Sequence, residues 1–371
     1  MEQYISLRKK HNLGDAIPLS AMGCEEIKNA FAIDDIRSEN ATAGSAFFFQ
    51  FWAHQWTDSV EQNGLFFNRY DFKNNGQGIY PKRNWLSNLV DAKTGKFVMY
   101  KGGLPRLQHD GGAGETTPDD HRSNENKILS AFHLFAIKLH NKLIEDYDID
   151  YQEAKRRTVA LVSKMTLHEA MKLTGFDEYE FFNDIRTPDM HKAMEFNFAL
   201  ARWGHAQMPD TINGKPLFDR SMSSQDIDLE RLFDGSEMAR TLNLGVSTAM
   251  TEMFHTPDDP SILKLNFGKN NRLGLLNADE MAKVTGFGEV DLTDSFPQFK
   301  GIPLWAFVLL EAGFTAPEGQ LGPLGARWIA DGIAGAELWG FPGQGIWYDF
   351  ELPKDNPDMD YSLNVIKYAN S

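Results

Sequence analysis

Apolar residues recur three and four positions apart through much of the chain, the spacing that gives a helix one buried face. Between Ile128 and Tyr147 they fall at Ile128, Leu129, Phe132, Phe135, Ala136, Leu139 and Leu143, which predicts a long core helix. Tyr151 to Leu173 and His191 to Gln207 read the same way, and Ile302 to Gly340 predicts two more helices divided by Pro317-Glu318-Gly319-Gln320. Pro105 to Pro118 is rich in Gly, Asp and Thr and reads as loop. Asn63 to Lys101 is rich in Asn and Gly, with short strand-compatible pieces such as Phe97-Val98-Met99-Tyr100. The tail after Trp347, with Pro353, Pro357 and several aspartates, predicts an irregular surface segment. No repeat or interdomain linker is visible, so the expectation is one large, mainly α domain over residues 1–371 with very little β.

Composition adds a core and removes several partners. Apolar residues make up 42% of the 371, with 12% aromatic and 27 phenylalanines, which is ample for a large core and for an apolar pocket. A net charge of −15 argues against nucleic acid or an anionic membrane surface, because such binding relies on Lys and Arg neutralising phosphates. Cys24 is the only cysteine, which excludes an intrachain disulfide and leaves one candidate thiolate. The first residues, Met1 to Lys10, carry no long apolar stretch, and no apolar run is long enough to span a bilayer, so the expectation is a cytoplasmic protein.

Three short segments carry candidate chemistry: Phe49-Gln50-Phe51-Trp52-Ala53-His54-Gln55, Asp120-His121-Arg122-Ser123-Asn124-Glu125 and Arg202-Trp203-Gly204-His205. Together they supply two imidazoles, a guanidinium and a carboxamide. Gln50 and His54 lie four apart, and Arg202 and His205 three apart, so each pair shares a helical face. Taken singly, these are also compatible with a Gln–His pair on an aromatic helix, a solvated arginine, and a core histidine beside a salt-bridged arginine. No zinc-type His-x-x-x-His pair with a nearby acid, no phosphate-cradling glycine loop and no Gly-x-Ser-x-Gly elbow is present.

In order and content the segments resemble the animal-type haem peroxidase superfamily, which includes cyclooxygenases and fatty-acid dioxygenases. Leu139-His140-Asn141-Lys142-Leu143 is similar to that family's Glu-His-Asn-Arg-Leu-like phrase, and Pro303-Leu304-Trp305 with Leu321 to Arg327 looks like the closing helices of bacterial members. The resemblance covers roughly residues 35–345. It implies haem b, with His205 as iron ligand, Gly204 allowing close approach of the porphyrin, Arg202 pairing with a propionate, His54 as distal proton carrier, and Gln50 and Arg122 as distal polar groups. Glu125 stands where the family can form a haem ester; Ala53 replaces the aspartate that would form the other, so at most one link is possible. Gln55 replaces a calcium-binding aspartate, and Asp71 is the nearest alternative, which argues against calcium.

The resemblance leaves two chemistries and a non-catalytic alternative. Cyclooxygenases and dioxygenases of the superfamily use a tyrosine three residues before the proximal histidine; that position is Arg202. The sequence therefore ranks first a peroxidase that reduces hydrogen peroxide and oxidises a small organic or halide donor. A fatty-acid or specialised-metabolite dioxygenase on the same scaffold ranks second, and a non-catalytic haem-binding helical protein third. The remaining histidines His109, His121, His191 and His255 read as exposed, and His140 as structural.

Overall fold

The computed structural model describes residues 5–16, 29–56, 90–99, 126–219, 223–251, 262–287, 301–339, 346, 348–353 and 358–371. Among these, seven helices have ten or more residues: α1 (Ala43–Trp56), α2 (Lys127–Tyr147), α3 (Tyr151–Thr174), α4 (Ile262–Leu273), α5 (Leu304–Thr315), α6 (Pro323–Trp339) and α7 (Tyr361–Asn370). Strand is confined to two-residue to six-residue pieces in two-stranded pairs, such as Arg37–Thr42 antiparallel to Met238–Arg240. The mainly helical expectation is met, and no described helix is long and apolar enough to cross a membrane. Contacts divide the chain into two compact units. The first comprises Met1–Ala43, Ala170–Ile212 and Met238–Gly335, and the second Gly44–Glu169, Asn213–Glu237 and Ala336–Ser371.

In the second unit α1 is apolar on every side, and it is buried accordingly: Phe47, Phe48, Phe51 and Trp52 are all 3% exposed or less. Phe48 and Phe51 meet Phe132 of α2 with ring centroids 5.8 and 5.9 Å apart, within the range where aromatic pairs attract beyond their buried area. Gly44 lets α1 approach Leu229–Phe233, since a methyl there would lie 2.7 Å from the Leu232 carbonyl oxygen.

The tail departs from expectation. Residues 361–370 form α7, which packs on α2 and on Leu229–Phe233 and buries Val365, Ile366 and Ala369. Asp360 starts it, accepting the Leu363 N–H at 3.1 Å while its other oxygen meets His168 Nε2 at 2.8 Å. Ser362 adds a hydroxyl donated to the buried Glu169 at 2.6 Å. Those partners lie on α3, about 190 residues earlier, so Asp360, which looked like loop composition, is a helix-docking group.

In the first unit α5 is buried from Leu304 to Ala312. Its Glu311 accepts the backbone N–H groups of Leu324 (3.0 Å) and Gly325 (2.8 Å), satisfying the open N-terminus of α6 across a loop. Gly322 is required there, because an added methyl would strike the Glu311 side chain. Pro323 opens α6 at the position where its missing N–H has no helical partner to lose. Further along, Arg327 pairs with Asp331 at 3.0 Å and donates to the Glu180 and Phe181 carbonyls. His191 is a second correction: it is 4% exposed, not on the surface. Its Nδ1 meets the Pro188 carbonyl at 3.0 Å, and burial drives it down to about 4.

Candidate functional site

Residues 191–207, expected as one helix, are three pieces: a 3-10 turn Met190–Lys192, the α-helical Met194–Phe198, and a 3-10 helix Leu200–Gln207. The breaks fall at Ala193, which is extended, and at Ala199, whose φ of −130° is not helical. With three residues per turn, side chains three apart eclipse one another. Leu200, Trp203 and Ala206 therefore form a single buried stripe, and Arg202 and His205 form the next, which is half-buried. The shared face expected of Arg202 and His205 is present, set by a tighter helix than the one expected.

That helix packs on α5 and on Met194–Phe198, and named groups fix it around His205. The Trp305 indole N–H donates to the Arg202 carbonyl at 2.9 Å, and its ring stacks on Phe31 with centroids 5.3 Å apart and planes 6° apart. Arg240, wholly buried, donates to the Ala206 carbonyl, to the Gly245 carbonyl at 2.9 Å, and to Asp34. Desolvation brings its guanidinium down to about 10, still protonated near neutral pH. On α4, the Asn266 amide lies 3.4 Å from His205 Nδ1. The nearer amide atom is Nδ2, a donor, so the contact fixes the orientation of the imidazole ring through Nδ1. Beside it, a methyl built on Gly204 meets nothing within 4 Å among the described residues, so the backbone next to the imidazole is open. An imidazole oriented by Asn266 beside open backbone is compatible with His205 being a residue that would hold a haem iron.

In the second unit Gln50 sits half-buried on α1, where its amide oxygen accepts from Asn126 Nδ2 at 3.5 Å. Asn126 also caps α2, accepting the Leu129 N–H at 2.9 Å. Gln50 is thereby tied to the residue that follows Glu125. His54 lies one helical turn beyond Gln50 on α1; its side chain, and the whole of Arg122 and Glu125, lie outside the described residues, as do Cys24, Asp71, His109, His121 and His255.

Two residues past Gln50, and so on the opposite side of α1, the Trp52 indole N–H donates to Glu337 Oε1 at 2.9 Å. Glu337 is fully buried, and desolvation pushes its carboxyl up to about 7. Asn266, Trp305 and Glu337 carry no local sequence signature of a site. The one hint for Glu337 is an isolated acid in the otherwise apolar stretch Ile333 to Trp339.

Two other groups have structural duties. His140 is buried between the Asn141 side chain (3.4 Å) and the Tyr151 carbonyl (3.3 Å), and burial lowers it to about 4. His168, Glu169 and Asp360 bring possible ligand atoms within 4.8 Å of one another, a cluster the sequence did not suggest, and they serve the docking of α7.

No family model matches the sequence, and no curated protein matches it significantly. Solved structures do match the fold. The fatty acid alpha-dioxygenase of Oryza sativa is 12% identical with a TM-score of 0.59, covering 100% of this chain and 78% of that one. The Arabidopsis thaliana fatty acid alpha-dioxygenase is 13% identical with a TM-score of 0.52, covering 97% and 81%. A tyrosine-to-phenylalanine variant of the rice enzyme, solved with palmitic acid, is 12% identical with a TM-score of 0.50, covering 90% and 77%. At this identity the likeness establishes the helical fold and leaves the chemistry to the residues.

Proposed function

We propose that this chain is a haem-dependent oxidoreductase that adds dioxygen to a fatty acid or a comparable apolar acyl substrate. The observation that carries the reading is His205 held by Asn266 beside the open backbone of Gly204, on a chain that matches fatty acid alpha-dioxygenases over its whole length. When bound, haem supplies the one-electron chemistry that protein side chains lack. His205 Nε2 would hold the iron, with Asn266 fixing the imidazole and Arg202 on the same stripe to meet a propionate. Gln50 would orient a polar oxygen ligand, and His54 would carry its proton, with Arg122 countering negative charge as the resemblance implies. Glu125 offers a single ester link at most.

A second reading, the peroxidase ranked first by sequence, is favoured by Arg202 in the position where dioxygenases of the superfamily carry tyrosine, since a guanidinium cannot serve as a radical site. Oxygen uptake separates the two. The haem-loaded chain is expected to consume dioxygen when given palmitate without added peroxide. Uptake that is absent with palmitate, together with peroxide-dependent oxidation of a small phenol or of halide, would replace the dioxygenase with the peroxidase.

A further inference from the structure

We propose that Trp52 and Glu337 form a buried electron-donor pair, in which Trp52 gives up one electron and passes its indole proton to Glu337. The two side chains are 3% and 0% exposed and joined by a 2.9 Å hydrogen bond from Nε1 to Oε1. Removing an electron from indole makes its N–H strongly acidic, and an acceptor within hydrogen-bond reach lets electron and proton leave together. Among the other described tryptophans with a defined indole partner, Trp305 donates to the Arg202 carbonyl and Trp328 to the Thr285 hydroxyl, neither of which can keep a proton. Glu337 can.

The local electrostatics favour the step. In the carboxylate form Glu337 holds a charge away from water, with only the Trp52 N–H and the nearby Ser163 hydroxyl as side-chain groups lowering its carboxyl against the burial. After transfer the pair is a neutral indolyl radical and a neutral carboxylic acid, so no charge remains in the apolar surroundings. One electron goes to the oxidant and the N–H bond is exchanged for an O–H bond. The burial that pushes the carboxyl up to about 7 also makes it a better base than an exposed glutamate. In the haem reading above, on which this proposal rests for its natural oxidant, that oxidant is haem oxidised by a peroxide. Trp52 lies on the helix that carries Gln50 and His54, on the side turned away from those two residues.

Electron paramagnetic resonance tests it. Haem-loaded protein mixed with hydrogen peroxide and frozen is expected to give an indole-centred radical whose signal narrows when tryptophan is ring-deuterated. Trp52→Phe, which keeps an aromatic ring in place, should abolish that signal. Glu337→Gln, which still accepts the N–H bond but does not take the proton, should abolish it or convert it to the protonated cation radical. An unchanged signal in either variant, with folding verified by circular dichroism, overturns the pair. A second arm dispenses with haem: azide radicals generated by pulse radiolysis oxidise the haem-free chain, and the slowest-decaying indolyl fraction should vanish in both variants. Its persistence in both overturns the proposal. Its loss in a chain that shows no haem absorption would leave the pair standing and remove only the cofactor reading.

Discussion

The surroundings of His205 and of α1 solve opposite problems. Around His205 the anchors named above are the Asn266 amide, the Trp305 indole and the Arg240 guanidinium, which stays protonated near neutral pH. Behind α1, by contrast, the anchor is a carboxyl that titrates in the neutral range. The first arrangement holds its segment through groups that do not titrate near neutral pH. The second makes the backing of α1 sensitive to pH and to proton transfer.

The largest effect is expected from breaking the rigid side. Arg240→Ala strips the Ala206 and Gly245 carbonyls of their donor and leaves Asp34 without its buried partner, which should destabilise the fold by about 3–5 kcal/mol. Urea unfolding measures it; a loss under about 1 kcal/mol would mean that Arg240 does not hold the segment after His205.

Next comes the pH dependence of the other side. The Glu337 carboxyl is raised from 4.5 to about 7, so its contribution to stability is full below about pH 4.5 and is lost as pH rises through 7, an effect on the order of 3 kcal/mol. His140 and His191, both lowered to about 4, act in the opposite sense, losing stability as pH falls below 6.5. The informative quantity is therefore the difference between wild type and Glu337→Gln at pH 5 and pH 8. It should change in favour of the variant at the higher pH, and a difference independent of pH would show that Glu337 does not titrate in this window.

A smaller effect is expected on the His205 side. Trp305→Phe keeps a ring against Phe31 and removes the bond to the Arg202 carbonyl together with some packed indole atoms, with an expected loss of about 1–3 kcal/mol and no pH dependence. A pH-dependent loss would erase the contrast between the two regions.

Much of the helical frame was legible because long apolar periodicities leave few alternatives: α2, α3, α5 and α6 lie within a few residues of expectation. The 3-10 helix was misread because a single three-residue step, such as Leu200 to Trp203, occurs in α-helical patterns too, and eight residues are too few to show the drift that separates the two. The tail was misread because Asp360 looks like loop until its partners His168 and Leu363 are in place. The same limit applies at the site. His205 and Gln50 were found through neighbouring residues, whereas Asn266 acts on His205 from 61 positions away and Glu337 acts on Trp52 from 285. No local pattern encodes such pairs.

The most direct check on His205 as the iron ligand is cavity rescue. Wild-type protein titrated with haem should develop a sharp Soret band, His205→Gly should lose it, and added imidazole should restore it with the spectrum of a histidine-ligated haem. A His205→Gly variant that binds haem with the wild-type spectrum in the absence of imidazole would contradict the assignment outright.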